Sequence, residues 1–297
     1  MRQNPRVSTR RSSPAPGGGL TPLVPMPEAV FRRFSDLIQQ ECGIKMPAVK
    51  KTMLEARLRK RLKDLHLEDF EDYCDYVFGP GGFENELVHL LDVVTTNKTD
   101  FFREGVQFEY LQRTALPALL DSGLRGPLRA WSAGCSTGEE AYTLAMVLEE
   151  FRAQRHGFEY QILATDLSTR VLAAAARGVY RAERIEPVPA PLRSRYVLRS
   201  RDRAEGLVRI HPDLRSRVSF QRLNFRDHEY DVGPPLHVVF CRNVLIYFDK
   251  EFQRDLLLRL IARLAPGGYL FLGHTESIHG MGLPVVPAGF STYRTAG

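Results

Sequence analysis

Nine consecutive residues, Ser132-Ala-Gly-Cys-Ser-Thr-Gly-Glu-Glu140, hold much of what this chain could use for chemistry. They follow a short apolar run and open a helical pattern. Gly134 and Gly138 therefore let a ligand approach the backbone, and the helix start presents free N–H groups to it. Asp166 ends the next apolar run, where a carboxylate can accept both hydroxyls of a ribose. Read structurally, the two glycines need do no more than make a tight strand-to-helix turn. Gly134-Cys-Ser136-Thr-Gly138 also fits G-x-S-x-G, the hydrolase nucleophile elbow, with Asp166 and His274 as nominal acid and base. A hydrolase elbow, however, follows several earlier strands and takes its acid from late in the sheet, whereas here the turn follows the first strand and Asp166 the second. No G-x-G-x-x-G supports a nicotinamide site. An adenosine-binding methyltransferase site fits the order of these parts best.

Two further segments add polar groups beside aromatic ones. Thr95-Thr-Asn97-Lys-Thr99-Asp-Phe-Phe-Arg103-Glu104 reads as a hinge lining a site, or, more simply, as a helix cap. Phe240-Cys-Arg242-Asn243-Val-Leu-Ile-Tyr247-Phe248 ends a strand with Arg242, Asn243 and Tyr247 directed into the same crevice, although Tyr247 also suits a core position. It is not the N-P-P-[YF] arrangement of nucleic-acid adenine methylation. His274, in Gly273-His-Thr-Glu-Ser277, is taken as supporting rather than reacting.

The elements that must position these residues follow from periodicity. Val30, Phe31, Phe34, Leu37 and Ile38 share one helical face between Pro27 and Gly43. Leu54, Leu58, Leu62 and Leu65 make the stripe of a second helix, and segments 70–78 and 83–94 complete a small all-α unit. A linking helix through Tyr110 and Leu119 follows. Beyond Pro127, strands 128–132, 160–165, 218–223, 236–241 and 269–272 alternate with helices 139–156, 169–176 and 250–264, the rhythm of a doubly wound parallel sheet. Ligands of such sheets sit beyond the carboxyl ends of the strands. Residues 179–215 interrupt the rhythm as a small β insertion, and Pro266-Gly267-Gly268 reads as a turn.

The 297 residues, 43% hydrophobic, allow one large core with a smaller domain attached. No apolar run is long enough to span a bilayer and no secretory h-region is present, so membrane insertion is excluded and a cytoplasmic location is expected. Cys42, Cys74, Cys135 and Cys241 lack metal-ligand spacing and read as reduced thiols, with no metal expected. Within a net charge of +6, residues 1–27 carry +4 and residues 50–63 carry +6, leaving about −4 elsewhere. The Pro/Gly/Ser/Arg-rich residues 1–21 read as a disordered tail. The one-signed helix 50–63, with Lys50, Arg57, Arg59, Lys60, Arg61 and Lys63, is expected to dock an acidic partner surface.

Taken together, TTNKTDFFRE (Thr95–Glu104), WSAGCSTGEE (Trp131–Glu140), ATDL (Ala164–Leu167), EGLVRI (Glu205–Ile210), CRNVLIYF (Cys241–Phe248) and GHTES (Gly273–Ser277) closely resemble the CheR family of chemotaxis receptor methyltransferases, protein-glutamate O-methyltransferases. The resemblance covers nearly everything from Pro27 to Arg294. It implies an α/β fold: a Rossmann-like class I methyltransferase sheet (105–297) with a small inserted β-subdomain (179–215) and an all-α N-terminal domain (22–104) for receptor docking. It implies S-adenosyl-L-methionine as cofactor, held by Asn97, Thr99, Arg103, the Glu139-Glu140 pair, Asp166, Asn224, Phe225, Arg242 and Asn243, with Arg103 and Tyr247 nearest the methyl as catalytic residues. Leucine commonly stands in the family where this chain has Phe225. The implied substrate is a glutamate γ-carboxylate in the cytoplasmic domain of a methyl-accepting chemotaxis receptor, the products being a methyl ester and S-adenosylhomocysteine. A receptor C-terminal peptide at the β-subdomain is a further implied partner, although the loop Ser200–Glu205 is charged and without glycine. Nucleic acid is not an expected partner, and a monomer in cytoplasmic receptor arrays is expected.

Overall fold

Gly43 ends the first helix because it adopts φ +75°, a left-handed conformation that lets its N–H close on the Gln39 carbonyl. In the computed structural model, which describes residues 24–95 and 97–296, that helix is α1 (Glu28–Cys42) and buries the five apolar residues expected of it. Residues 1–21 and Thr96 lie outside the described residues. A single 3-10 turn (Ala48–Lys50) leads into α2 (Lys51–Asp64), which buries Leu54, Leu58 and Leu62. Next come α3 (Phe70–Phe78), capped by the Asp69 carboxylate accepting from the N–H groups of Glu71 and Asp72, and α4 (Gly82–Val94). These helices share a core around Phe34, Leu58, Phe70 and Tyr73.

The packing of α2 changes the meaning of its charge. Arg61 forms a bidentate pair with the buried Glu86 at 2.6 Å, and Glu86 also accepts from the Tyr73 hydroxyl at 2.9 Å. Arg57 donates to the carbonyls of Val93, Val94 and Thr95 at the end of α4, where the helix leaves acceptors unsatisfied. Arg59 lies over the Phe70 ring at 5.3 Å. Three of the six cations expected at a docking surface therefore hold the helical unit together; Lys60 and Lys63 are the exposed ones on α2.

The linking helix is α5 (Val106–Tyr110) and α6 (Leu116–Asp121), joined by a π-helical turn over Leu111–Ala115. The widening lies directly ahead of Pro117, which has no N–H to give and whose ring crowds the preceding turn. The remaining elements are β1 (Leu128–Ala133), α7 (Glu139–Gln154), β2 (Tyr160–Asp166), α8 (Thr169–Arg177), β3 (Val179–Arg181), α9 (Ala190–Tyr196), β4 (Val197–Arg199), β5 (Leu207–Ile210), α10 (Pro212–Arg215), β6 (Val218–Arg222), β7 (Leu236–Cys241), α11 (Lys250–Ile261), β8 (Leu264–Leu272), β9 (Val285–Gly289) and β10 (Thr292–Thr295).

The main sheet runs β6-β2-β1-β7-β8-β10-β9, parallel through β8, with β10 and β9 antiparallel at one edge; β3-β5-β4 form a separate antiparallel sheet. The order reverses between β2 and β7 on either side of β1, so the crevice beyond β1 is the switch point. Several elements depart from expectation, among them β8 and the added strands β9 and β10. Pro266-Gly267-Gly268 lies inside β8, where the register against β7 shifts and Gly267 exchanges bonds with Arg294 and Ala296, giving a bulge instead of a turn. The edge strand β9 contains Pro287 and half-exposed residues, a pattern without the alternation that marks a strand.

His237 on β7 is buried, and its Nδ1 accepts from the Arg129 N–H on β1 at 3.0 Å. Burial, with Arg129 nearby, pushes its imidazole down to about 4. An unfolded chain titrates near ~6.5, so the stability this histidine contributes is complete above about pH 6.5 and falls as the pH drops toward 4. Denaturant titrations over that interval should show a shallower loss of stability in His237→Gln than in the wild type.

Candidate active site

The turn after β1 is shaped by backbone that few side chains tolerate. Gly134 and Gly138 have φ +89° and +95°, and Ser136 between them has φ +50°. A Cβ on Gly134 would stand 2.6 Å from the Val244 side chain, and one on Gly138 2.9 Å from Ala175. The N–H groups of Gly134 and Cys135 both donate to the Thr165 carbonyl, which folds the turn against the end of β2. There Asp166 accepts from the N–H of Ser136 at 2.8 Å and of Ser168 at 3.0 Å, one on each oxygen. Burial raises its carboxyl, and the backbone donors oppose that shift. Each oxygen keeps acceptor capacity for a further hydroxyl. Ser136 donates its own hydroxyl to the Asn97 carbonyl at 3.0 Å, and no histidine is bonded to it among the described residues, so the hydrolase reading has no base to work with.

The adjacent glutamates diverge. Glu140 faces the cavity, accepting from Ser132 Oγ at 2.7 Å and from Arg242 Nε at 2.8 Å. Glu139, 1% exposed, turns the other way, to Thr137 Oγ1 at 2.6 Å and Arg184 at 2.7 Å, and does not line the cavity. Successive residues on a helix point about 100° apart, so one first turn cannot aim both carboxylates at one ligand. Arg242 donates in addition to Gln107 Oε1 at 2.8 Å and lies 3.6 Å from Glu104. Its guanidinium stands over the rings of Phe108 and Phe240 at 5.0 and 5.5 Å.

Asn243, at φ +59°, is held by Glu276, whose carboxylate accepts from the N–H groups of Asn243, Leu245 and Gly273 at 2.7 to 2.9 Å. Burial raises the Glu276 carboxyl against those donors. The Asn243 amide donates to Glu104 at 3.3 Å. Glu276 lies two residues after His274, the residue singled out in the same motif. Glu104 and Glu276 lie inside segments the sequence singled out, Thr95–Glu104 and Gly273–Ser277, without being marked individually, and Gln107 carries no signal beyond being polar beside apolar residues.

The helical unit supplies the facing wall, with Cys42, Ile44, Lys50, Met53 and Val94. The cavity, about 280 Å³, is completed by Asn97, Lys98, Thr99 and Arg103 from the connecting segment, and by Asn224, Phe225 and Tyr247 from the loops after β6 and β7. Asn97 donates to Thr95 Oγ1 at 3.2 Å, Arg103 to the Lys98 carbonyl at 3.2 Å, and Asn224 to the Glu41 carbonyl at 2.7 Å, the last pinning the β6 loop to the end of α1. The Lys45 N–H donates to the Tyr247 carbonyl at 2.9 Å, and Lys50 Nζ stands 5.8 Å from the Tyr247 ring. Burial, with Arg57 nearby, lowers the Lys50 ammonium. Of the docking cations expected from the sequence, Lys50 is thus a cavity residue. Of the expected cofactor residues, all but Glu139 line this one space.

Such a cavity suits an adenosine with a zwitterionic amino-acid tail: an acidic acceptor at β2, apolar walls at Ile44, Val94 and Phe225, and both charge signs across the crevice. Because a side chain at position 134 would strain φ and drive Val244 off the loop, Gly134→Ala should weaken S-adenosylhomocysteine binding roughly ten- to a hundredfold by calorimetry and also lower the melting temperature, since the strain is borne by the folded state.

Residues 29–95 match the family described as CheR methyltransferase, all-alpha domain, and residues 97–285 match CheR methyltransferase, SAM binding domain. The Chemotaxis protein methyltransferase of Klebsiella aerogenes is 37% identical over 277 residues, 93% of this chain and 92% of that protein. Its Escherichia coli K12 counterpart is 37% identical over 260 residues, 87% of each chain, and that of Borreliella burgdorferi 35% over 252 residues, 84% of this chain and 88% of the other. Two family matches that together span the helical unit and the sheet, and relatives aligned over most of their own length, agree with the geometry of the cavity, and the chain belongs to the CheR family of S-adenosylmethionine-dependent methyltransferases.

Proposed function

We propose that this enzyme methylates glutamate γ-carboxylates in the cytoplasmic domain of a methyl-accepting chemotaxis receptor, the resulting esters serving sensory adaptation or related signalling. The observation that carries this reading is that no histidine is among the described residues lining the cavity and that its two carboxylates are engaged. Glu140 is paired with Arg242, Asp166 accepts from two backbone N–H groups and keeps acceptor capacity for a hydroxyl, and the Cys42 thiol is pushed up to about 12 by burial. An acceptor that must lose a proton as it reacts is poorly served here, whereas a glutamate carboxylate is already ionised at neutral pH.

When bound, S-adenosylmethionine would supply an electrophilic methyl for transfer to the carboxylate oxygen, with the methyl ester and S-adenosylhomocysteine as products. Asn97, Thr99, Glu140, Asp166, Asn224, Phe225 and Asn243 are assigned to hold the cofactor, and Arg242 to fix Glu140. Arg103 and Tyr247 are assigned to orient the carboxylate, a contribution of proximity and alignment, and Lys50 adds a cation on the same wall. Lys60 and Lys63 are assigned to receptor docking from residues 22–104, with residues 105–297 as the catalytic domain. An extended receptor C-terminal peptide is assigned to β3 or β4, the outer strands of the insertion's sheet. The enzyme is taken to act as a monomer on the cytoplasmic side, at the receptor array. Among the described residues no helix is long and apolar enough to cross a membrane.

With labelled S-adenosylmethionine and receptor-bearing membranes, the transferred methyl should leave as volatile methanol after alkali; label that stays bound through alkali would sink the glutamate assignment. In the same assay Arg103→Ala should lower kcat about a hundredfold, while Lys60→Ala should mainly raise the receptor KM, in a manner that weakens with added salt.

A further inference from the structure

The β insertion reaches the segments that wall the site through a side chain that none of the motifs includes. After β3 the chain makes a 3-10 turn, Ala182–Ile185, and Arg184 leaves it toward the connecting segment. Its guanidinium donates to Asp100 at 2.9 Å, to Glu139 at 2.7 Å and to the Thr99 carbonyl. Thr99 lines the cofactor cavity, and Glu139 immediately precedes Glu140, which lines it too. A second contact from the same insertion lies beside it: Tyr180 donates its hydroxyl to the Thr137 carbonyl at 2.7 Å and meets Phe101 edge-on at 5.0 Å.

We propose that Arg184 is a positioning residue for the cofactor, the bolt by which the insertion holds the 97–100 segment and the first turn of α7 at the separation the cavity requires. The planar fork of arginine can serve acceptors on two segments at once, in fixed directions. Glu139 is 1% exposed, so its charge has a structural reason to keep a cation, whereas Asp100 is 45% exposed in its side chain and has no such need. The bond to Asp100 and the bond to the Thr99 carbonyl therefore act on loop position rather than on charge burial. Arg184 does not line the cavity and makes no contact of its own with it.

The test is calorimetric binding of S-adenosylhomocysteine, with melting temperature and steady-state constants alongside. Arg184→Ala should weaken binding about tenfold and raise the KM for S-adenosylmethionine by a similar factor, with kcat at saturation within about twofold. In Arg184→Ala/Glu139→Gln the buried charge is gone along with its partner, so the melting temperature should recover while binding stays weak. Asp100→Asn, at a position too exposed to endanger folding, should weaken binding about two- to fivefold. Recovery of affinity together with melting temperature in the double variant, or wild-type affinity in Asp100→Asn, would overturn the proposal by reducing Arg184 to a counter-ion for Glu139.

Discussion

A guanidinium buried where β7, α7 and the linking helix meet must be surrounded by acceptors, and the neighbourhood of Arg242 meets that requirement. Glu140 takes its Nε and Gln107 one terminal nitrogen, with Glu104 at 3.6 Å, while Phe108 and Phe240 stand at its aromatic faces. Such a pair is weak evidence of net stability, because desolvation offsets most of the attraction, yet loss of either partner would strand a buried charge at a cost of about 3 to 5 kcal/mol. Its role is geometric. Once Arg242 is fixed, so are the first turn of α7, the end of β1 through Ser132, and the connecting segment through Glu104.

Of the six described residues other than glycine that take positive φ, four, Phe102, Glu104, Ser136 and Asn243, lie in the segments this network joins. Strain of that kind persists only where surrounding bonds over-determine the backbone. The helical unit adds its own ties: Asn224 to Glu41, Lys45 to Tyr247 and Ser136 to Asn97 cross between the two halves. The cavity is consequently a property of the whole chain, walled on one side by a helical unit that carries none of the nucleotide-type motif.

Much of the architecture was legible because burial imposes periodicity. The α1 stripe from Val30 to Ile38 and the apolar runs of β1, β2 and β7 are consequences of facing a core, and they read directly. The glycine turn and Asp166 were legible for a different reason, since close approach and strand-end position restrict residue type. What was not legible was direction. Arg61 and Lys60 are adjacent cations in the sequence, but one lies against Glu86 and the other faces water. Glu139 and Glu140 are chemically identical neighbours separated only by helical rotation. The strand β9 escaped because an edge needs no strong apolar alternation, β10 because it is four residues long with one buried, and the bulge in β8 because Pro-Gly-Gly is as compatible with a kinked strand as with a turn.

The Glu276 carboxylate, with three N–H donors from the loops after β7 and β8, bears on the tempo of the catalytic cycle. Loops tied at three points need not fold around each incoming cofactor, so this side of the cleft carries no ordering entropy from one turnover to the next. The opposite wall, where the connecting segment and the helical unit meet the sheet domain, is held instead by separate bonds such as Asn224 to Glu41, Lys45 to Tyr247 and Ser136 to Asn97. The two walls of the cavity thus differ in kind, one organised around a single shared acceptor and the other by ties spread over two halves of the chain.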